Sequence, residues 1–367
     1  MVGSVVEPRE GFTIRLGGAV ARESAMSRNT HRLVACSVFC LMLVVLAWAA
    51  SGYHILKKIP IATGEGTWDF GTIDGSGRRL FLAHETQVEV LNVDTGDLIS
   101  TIPDTKGAHG IALAAEFNHG FISNGTSATV TMFDMSTFKR LAEIPAGNLP
   151  DTIVYDPSTK QVFSFNTVGR NATVIRASDG SVAGTIALDG KPEFAVADGQ
   201  GHVFDNLVDK AILARIDARK LAIDRRWPVT NCDRPTSLAM DEKTHRLFIG
   251  CRNLTLYVMD SDSGKIIANL PIGDNVDTTA FDPATGLIFS STEDGVVTIL
   301  HEDGPGSFSV VETVKTHKGS QTMALDLKTH RLFVPYGDVD KVPPQVPGGK
   351  VTKKVAANSF GILVLGQ

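Results

Sequence analysis

Acidic and imidazole side chains recur where one sequence unit after another begins: Asp69, His109, Asp151, Glu193 and Asp277, with Thr236 and Gln321 in the two remaining places. Fifteen residues after six of these starts come His84, Asn124, Asn166, Cys251, Thr292 and Tyr336, and Asn206 takes the corresponding place in the fourth unit. Gathered at one spot, the carboxylates and amides would bind a ligand by hydrogen bonds or hold a hard cation such as calcium. His84 and His109 beside Asp69 or Asp151 would suit a transition metal. The same pairing would supply a general base for hydrolysis. The chain has no H-E-x-x-H, no EF-hand loop and no Gly-x-Ser-x-Gly elbow, so no compact motif selects among these chemistries. No cofactor is assigned; a divalent cation is the one the residues would support. The plainer alternative is that acids and amides at strand ends satisfy turn and backbone groups.

What must position these residues is a repeat. The starts are spaced 40, 42, 42, 43, 41 and 44 residues apart. An aspartate follows five residues after most starts, as Asp74, Asp156, Asp198, Asp241, Asp282 and Asp326, with Ala114 in the second unit. The third unit shows the pattern within a repeat: TIVY, VFSF, ATVI and VAGTIAL are separated by DPSTK, NTVGRN and ASDG. Short β-rich runs punctuated by Asp-Gly and Asp-Pro read as strands joined by hairpins. Four strands every 40–45 residues is the mark of a propeller blade. The chain is therefore expected to be all-β, a seven-bladed β-propeller with four antiparallel strands per blade.

The last unit supplies only three strands, TMALDL, RLFVPY and FGILVLG. The segment His54–Pro60 resembles the outer strands LISTIP and IIANLP. It is expected to complete the last blade, so that both chain ends close the ring and remove an exposed sheet edge. Strand 1 of each blade lines the channel, so the aligned residues should form a polar rim at one mouth. Asp69, His84, His109, Asn124, Asp151, Asn166, Glu193, Asn206, Asp277, Gln321 and Tyr336 are the expected ligand-binding set. Asp69, His84, His109 and Asp151 are the catalytic alternative.

Phe121-Ile122-Ser123-Asn124 and Phe163-Ser164-Phe165-Asn166 stand in corresponding places, with Leu247-Phe248-Ile249-Gly250-Cys251 a divergent copy. In these tetrapeptides and their spacing the chain resembles the YVTN-repeat propellers over about residues 53–367. The resemblance implies an extracytoplasmic seven-bladed propeller and leaves the chemistry open, because propellers host many functions.

Composition sets further bounds. The apolar run Leu33–Ala50 follows Arg28, His31 and Arg32 and ends on Ala47-Trp48-Ala49. That order describes a secretory signal cleaved before Ala50; an uncleaved anchor is the alternative, since 18 residues just span a bilayer. Residues 1–49 are thus read as extension and signal, with Met26 as the expected true start, and 50–367 as one propeller domain. Export places it in the periplasm or outside the cell. Without residues 1–49 the chain has 30 basic and 37 acidic residues, a net charge of −7, and no basic stripe. Nucleic acid is therefore an unfavoured partner, and membrane contact would come only through an uncleaved N-terminal segment. A small molecule, peptide or protein partner is expected, bound by a monomer. A lactonase-like hydrolase on the same face is the alternative. Cys232 and Cys251, the cysteines after the signal, are expected to pair in an oxidising compartment. The insertion 337–358, rich in Pro, Gly and Lys, reads as a mobile segment leaving the rim face with Lys341, Lys350, Lys353 and Lys354.

Overall fold

The computed structural model describes residues 52–62, 66–342 and 352–367. The apolar run Leu33–Ala50, Met26 and Lys350 lie outside the described residues. Among those described, the strands form seven four-stranded antiparallel sheets and one two-stranded sheet. No helix among them is long and apolar enough to cross a membrane. The inner strands are Trp68–Asp74, Ala108–Ala114, Pro150–Asp156, Pro192–Ala197, Pro235–Asp241, Val276–Asp282 and Ala324–Asp326. Each begins blades 1 to 7 in turn.

A single repeat position accounts for much of the core. The second strand of every blade carries a phenylalanine three residues before its end: Phe81, Phe121, Phe163, Phe204, Phe248, Phe289 and Phe333. All seven are at most 2% exposed. They fill the spaces between blades. Phe81 packs with Ile102, Ile111 and Ile122 between blades 1 and 2, and Phe248 with Leu270, Val276 and Ile288 between blades 5 and 6. Removing a buried phenyl group typically costs about 3–5 kcal/mol, so the repeat supplies the interfaces as well as the strands.

The aspartates that end the inner strands build the first hairpin of each blade. Asp74 accepts from the backbone N–H of Ser76 and Gly77, and Asp326 from Lys328 N–H and the Thr329 hydroxyl. These are Asx-turns, which set a tight reversal through a short side chain. Four residues after the aspartate the backbone turns left-handed, at Arg78, Lys160, His245 and His330. Blade 2 has Ala114 instead, and there a single 3-10 turn, Ala115–Phe117, makes the reversal.

Blade 7 is assembled from both chain ends. Its sheet order runs from Ala324–Asp326 through Arg331–Tyr336 and Gly361–Gly366 to the outer strand His54–Pro60. The terminal pair is antiparallel, with His54 opposite Gly366 and Pro60 opposite Gly361. Tyr53 fixes the entry: its N–H donates to Glu312 at 2.8 Å and its hydroxyl to the His330 carbonyl at 2.7 Å. At the seam with blade 1, the Arg78 guanidinium donates to both Asp326 oxygens at 2.8 and 2.7 Å. Asp326 is held down to about 2: burial pushes its carboxyl up, but the Arg78 and turn hydrogen bonds outweigh that.

The insertion after Tyr336 differs from expectation at its base. Val339–Val342 and Thr352–Val355 pair as an antiparallel hairpin, with Val339 opposite Val355. Lys341, Lys353 and Lys354 lie on these two strands.

Candidate functional site

In blades 1 to 6 the inner strands deliver their second residues to one mouth of the channel. Directly below, Phe70 of blade 1 meets Phe194 of blade 4 edge to face across the axis, with ring centroids 5.2 Å apart. A cavity of about 200 Å3 lies at this level, lined in part by Phe70, Phe194, Ile111, Ile153 and Met323. The mouth is therefore a cup with an aromatic floor. Hydroxyls join adjacent blades: Thr322 donates to the Asp69 carbonyl at 3.2 Å, Thr152 to that of Glu193 at 2.5 Å and Thr236 to that of Val276 at 2.5 Å.

On one side of the cup His109 lies between two carboxylates. Its Nδ1 is 2.5 Å from Asp69 Oδ2 and 3.8 Å from Asp151 Oδ1. Burial alone would lower the imidazole pKa; the Asp69 hydrogen bond and the charges of Asp151 and Asp69 overcome it and hold His109 up to about 9. His109 thus keeps its proton through neutral pH and donates. Gly125 makes room for the ring, since a Cβ there would sit 2.7 Å from His109 Nε2. Thr167 donates to Asp151 at 3.2 Å.

The other acids are less well compensated. Glu193 has Lys191 at 3.6 Å, and Asp277 has Arg252 at 3.9 Å. Desolvation first, then the charge of Asp151, raises Glu193. Desolvation, then Asp69 and Glu193, pushes Asp277 well above the ordinary range. Asp69 is pushed up to about 6 by desolvation despite its bond to His109. Carboxylates that strain toward neutrality are short of positive charge. Asp69, His109 and Asp151 are also the one group of three possible metal-ligating side chains among the described residues, with donor atoms within 4.8 Å of one another. A metal there would have to replace the proton shared by Asp69 and His109 and spread the donors to about 3 Å apart.

Several expected rim residues lie elsewhere. His84 is buried in the blade 1–7 seam, with Nδ1 3.2 Å from Glu89, Nε2 3.1 Å from the Gly66 carbonyl and its ring on Phe360. It is not beside His109, because a side chain ending the second strand turns into the sheet interface. Asn124 and Asn166 follow the same rule. Asn124 donates to the Thr131 hydroxyl at 2.8 Å and Asn166 to that of Thr173 at 3.0 Å. Asn206 is one residue short of its strand end, which is Leu207, and donates to the Ser237 carbonyl in blade 5 at 3.0 Å. Tyr336 packs against His317 with the rings tilted by 44° and centroids 5.6 Å apart. Gln321 precedes the short inner strand of blade 7 and lines a separate cavity off the axis. Cys232 and Cys251 form a disulfide, Cα atoms 5.5 Å apart, tying the loop entering blade 5 to its second strand. Gly125, Thr167 and Arg252 stand one residue beyond the second-strand ends. That offset is the repeat signal by which they were findable.

No family model and no curated protein matches the chain. Solved structures do resemble it. Kuenenia stuttgartiensis hydrazine synthase aligns at 14% identity over 75% of this chain and 94% of that one, with a TM-score of 0.66. The RRP9 WD40 repeats align at 10% identity over 86% and 97%, TM-score 0.69. U3-55K aligns at 10% over 86% and 98%, TM-score 0.68. Identities this low speak for fold alone, and the fold is the seven-bladed β-propeller.

Proposed function

We propose that this chain is an exported binding propeller of the YVTN-repeat type, whose axial cup takes a small molecule or partner side chain by a cationic group. One observation carries the reading: Asp69, Asp151, Glu193 and Asp277, from four different blades, converge above the floor made by Phe70 and Phe194. An ammonium or guanidinium entering the cup would supply the charge that Asp69, Glu193 and Asp277, raised by desolvation, lack. The repeat spacing and the apolar run Leu33–Ala50 support the family and export parts of the reading. The hydrolase alternative is weakened by the site itself. His84 lies in the blade seam, and His109 is protonated at neutral pH and so is no general base there.

A divalent cation on Asp69, His109 and Asp151 is the second reading, favoured by the close approach of their donor atoms. Calorimetry separates the two. Titrating the protein with propylammonium, ethylguanidinium, Ca2+ and Zn2+ should give binding for an organic cation, and an Asp151→Asn, Asp277→Asn double variant should weaken it at least about tenfold. Zn2+ heat that disappears in His109→Ala would favour the metal instead. No heat from any probe would sink both readings.

A further inference from the structure

Off the axis, among blades 6, 7 and 1, lies a second cavity of about 610 Å3. Small-molecule sites usually measure roughly 300–1,000 Å3. Its wall includes Trp68, Glu293, His317, Lys318, Gln321 and Asp338.

Trp68 is held as a fixed platform. Phe360 stacks on it at 5.3 Å between centroids and 24° between planes. Gly337 closes on its edge, and a Cβ there would come within 2.9 Å of the ring. The opposite wall is polar and braced. His317 Nε2 lies 3.0 Å from Asp338 Oδ1, and its Nδ1 2.8 Å from the Lys318 carbonyl. The Gly319 N–H donates to the Glu293 carbonyl at 2.8 Å, and the Glu293 carboxylate accepts from Asn275.

We propose that this cavity binds a neutral saccharide, its C–H face on Trp68 and its hydroxyls on Glu293, Lys318, Gln321 and Asp338. An indole offers a broad, rigid apolar surface. Around it stand pure acceptors (Glu293, Asp338 and Asp340), a pure donor (Lys318) and an amide that does both (Gln321). A sugar hydroxyl both donates and accepts, so each of these groups finds a complement. A nucleotide would set its phosphate beside three carboxylates, Glu293, Asp338 and Asp340, with one ammonium to offset them. A bare aromatic ligand would desolvate these charged groups and add no hydrogen bond of its own. The proposal does not depend on the axial cup, whose carboxylates are absent from this wall.

Tryptophan emission tests it directly. The chain has three tryptophans, Trp48, Trp68 and Trp227, so a Trp48→Phe, Trp227→Phe variant leaves Trp68 as the reporter. Maltose, cellobiose and N,N′-diacetylchitobiose are titrated in, with adenosine monophosphate as the anionic aromatic comparison. At least one disaccharide should shift the emission saturably, with a Kd of about 1 mM or tighter. Asp338→Asn and Lys318→Ala, both at exposed positions, should each weaken that response several-fold while leaving the melting temperature unchanged. No saturable shift with any of the three sugars up to about 10 mM, or an equal response to the nucleotide, would overturn the proposal.

Discussion

The two ends of the channel are built from the same kinds of residue and use them in opposite ways. At the hairpin end, the aspartates closing the inner strands are saturated. Asp326 takes hydrogen bonds from Arg78, Lys328 and Thr329, and Asp74 from Ser76, Gly77 and Arg79. Both carboxyls are held below their ordinary range, because these bonds outweigh the cost of burial. At the cup end, Asp69, Glu193 and Asp277 are raised because desolvation outweighs what their neighbours supply. One end spends its polar groups on holding the blades. The other leaves its acids short of compensating charge.

The contrast is easiest to break at Asp326. Asp326→Ala strips Arg78 of its buried partner and the turn of its acceptor, and should cost about 3–5 kcal/mol in guanidinium unfolding. A loss under about 1 kcal/mol would mean the hairpin end is no bolt. Acid gives the next effect. With a folded pKa of about 2 against about 3.9 unfolded, Asp326 contributes fully above pH ~4 and progressively less as pH falls toward 2. The stability gap between wild type and Asp326→Ala should therefore narrow by about 2 kcal/mol between pH 7 and pH 2. A gap constant with pH would contradict the pairing. The smallest effect has the opposite sign. Asp277 is raised, so its charge burdens the folded state at neutral pH and ceases to do so once acid protonates it in both states. Asp277→Asn should raise the melting temperature at pH 7, with the gain fading at low pH. Destabilisation at pH 7 would place Asp277 with the structural acids instead.

The fold was legible because seven copies of one spacing leave little choice of architecture, and because His54–Pro60 carries the outer-strand pattern at the wrong end of the chain. The cup was legible for a related reason. Residues one step into an inner strand share one address in every blade, which brought Asp69, His109, Asp151, Glu193 and Asp277 forward together. The second-strand ends misled because position along a strand does not fix which face a side chain takes. His84, Asn124, Asn166 and Cys251 are buried within the blades, and the residues that follow the last three, Gly125, Thr167 and Arg252, reach the mouth. The first hairpin of blade 4, turning through Gly201 at φ 106°, is one residue shorter, which puts the strand end at Leu207; Asn206 allows for a shortening of two. His317 and Asp338 carried no repeat signal, since they lie where the last blade departs from the pattern, and Trp68 stands at the first residue of its inner strand, where three other blades have proline.

The pairing of His54–Pro60 with Gly361–Gly366 also sets an order of events. The outermost strand of blade 7 leaves the ribosome before the other described strands, and its one sheet neighbour among the described residues is the last of them. At about 5–20 residues per second, roughly 15–60 s of synthesis separate the two. Through that interval the early strand has no place to settle, and whatever shields it meanwhile decides whether the circle is ever completed.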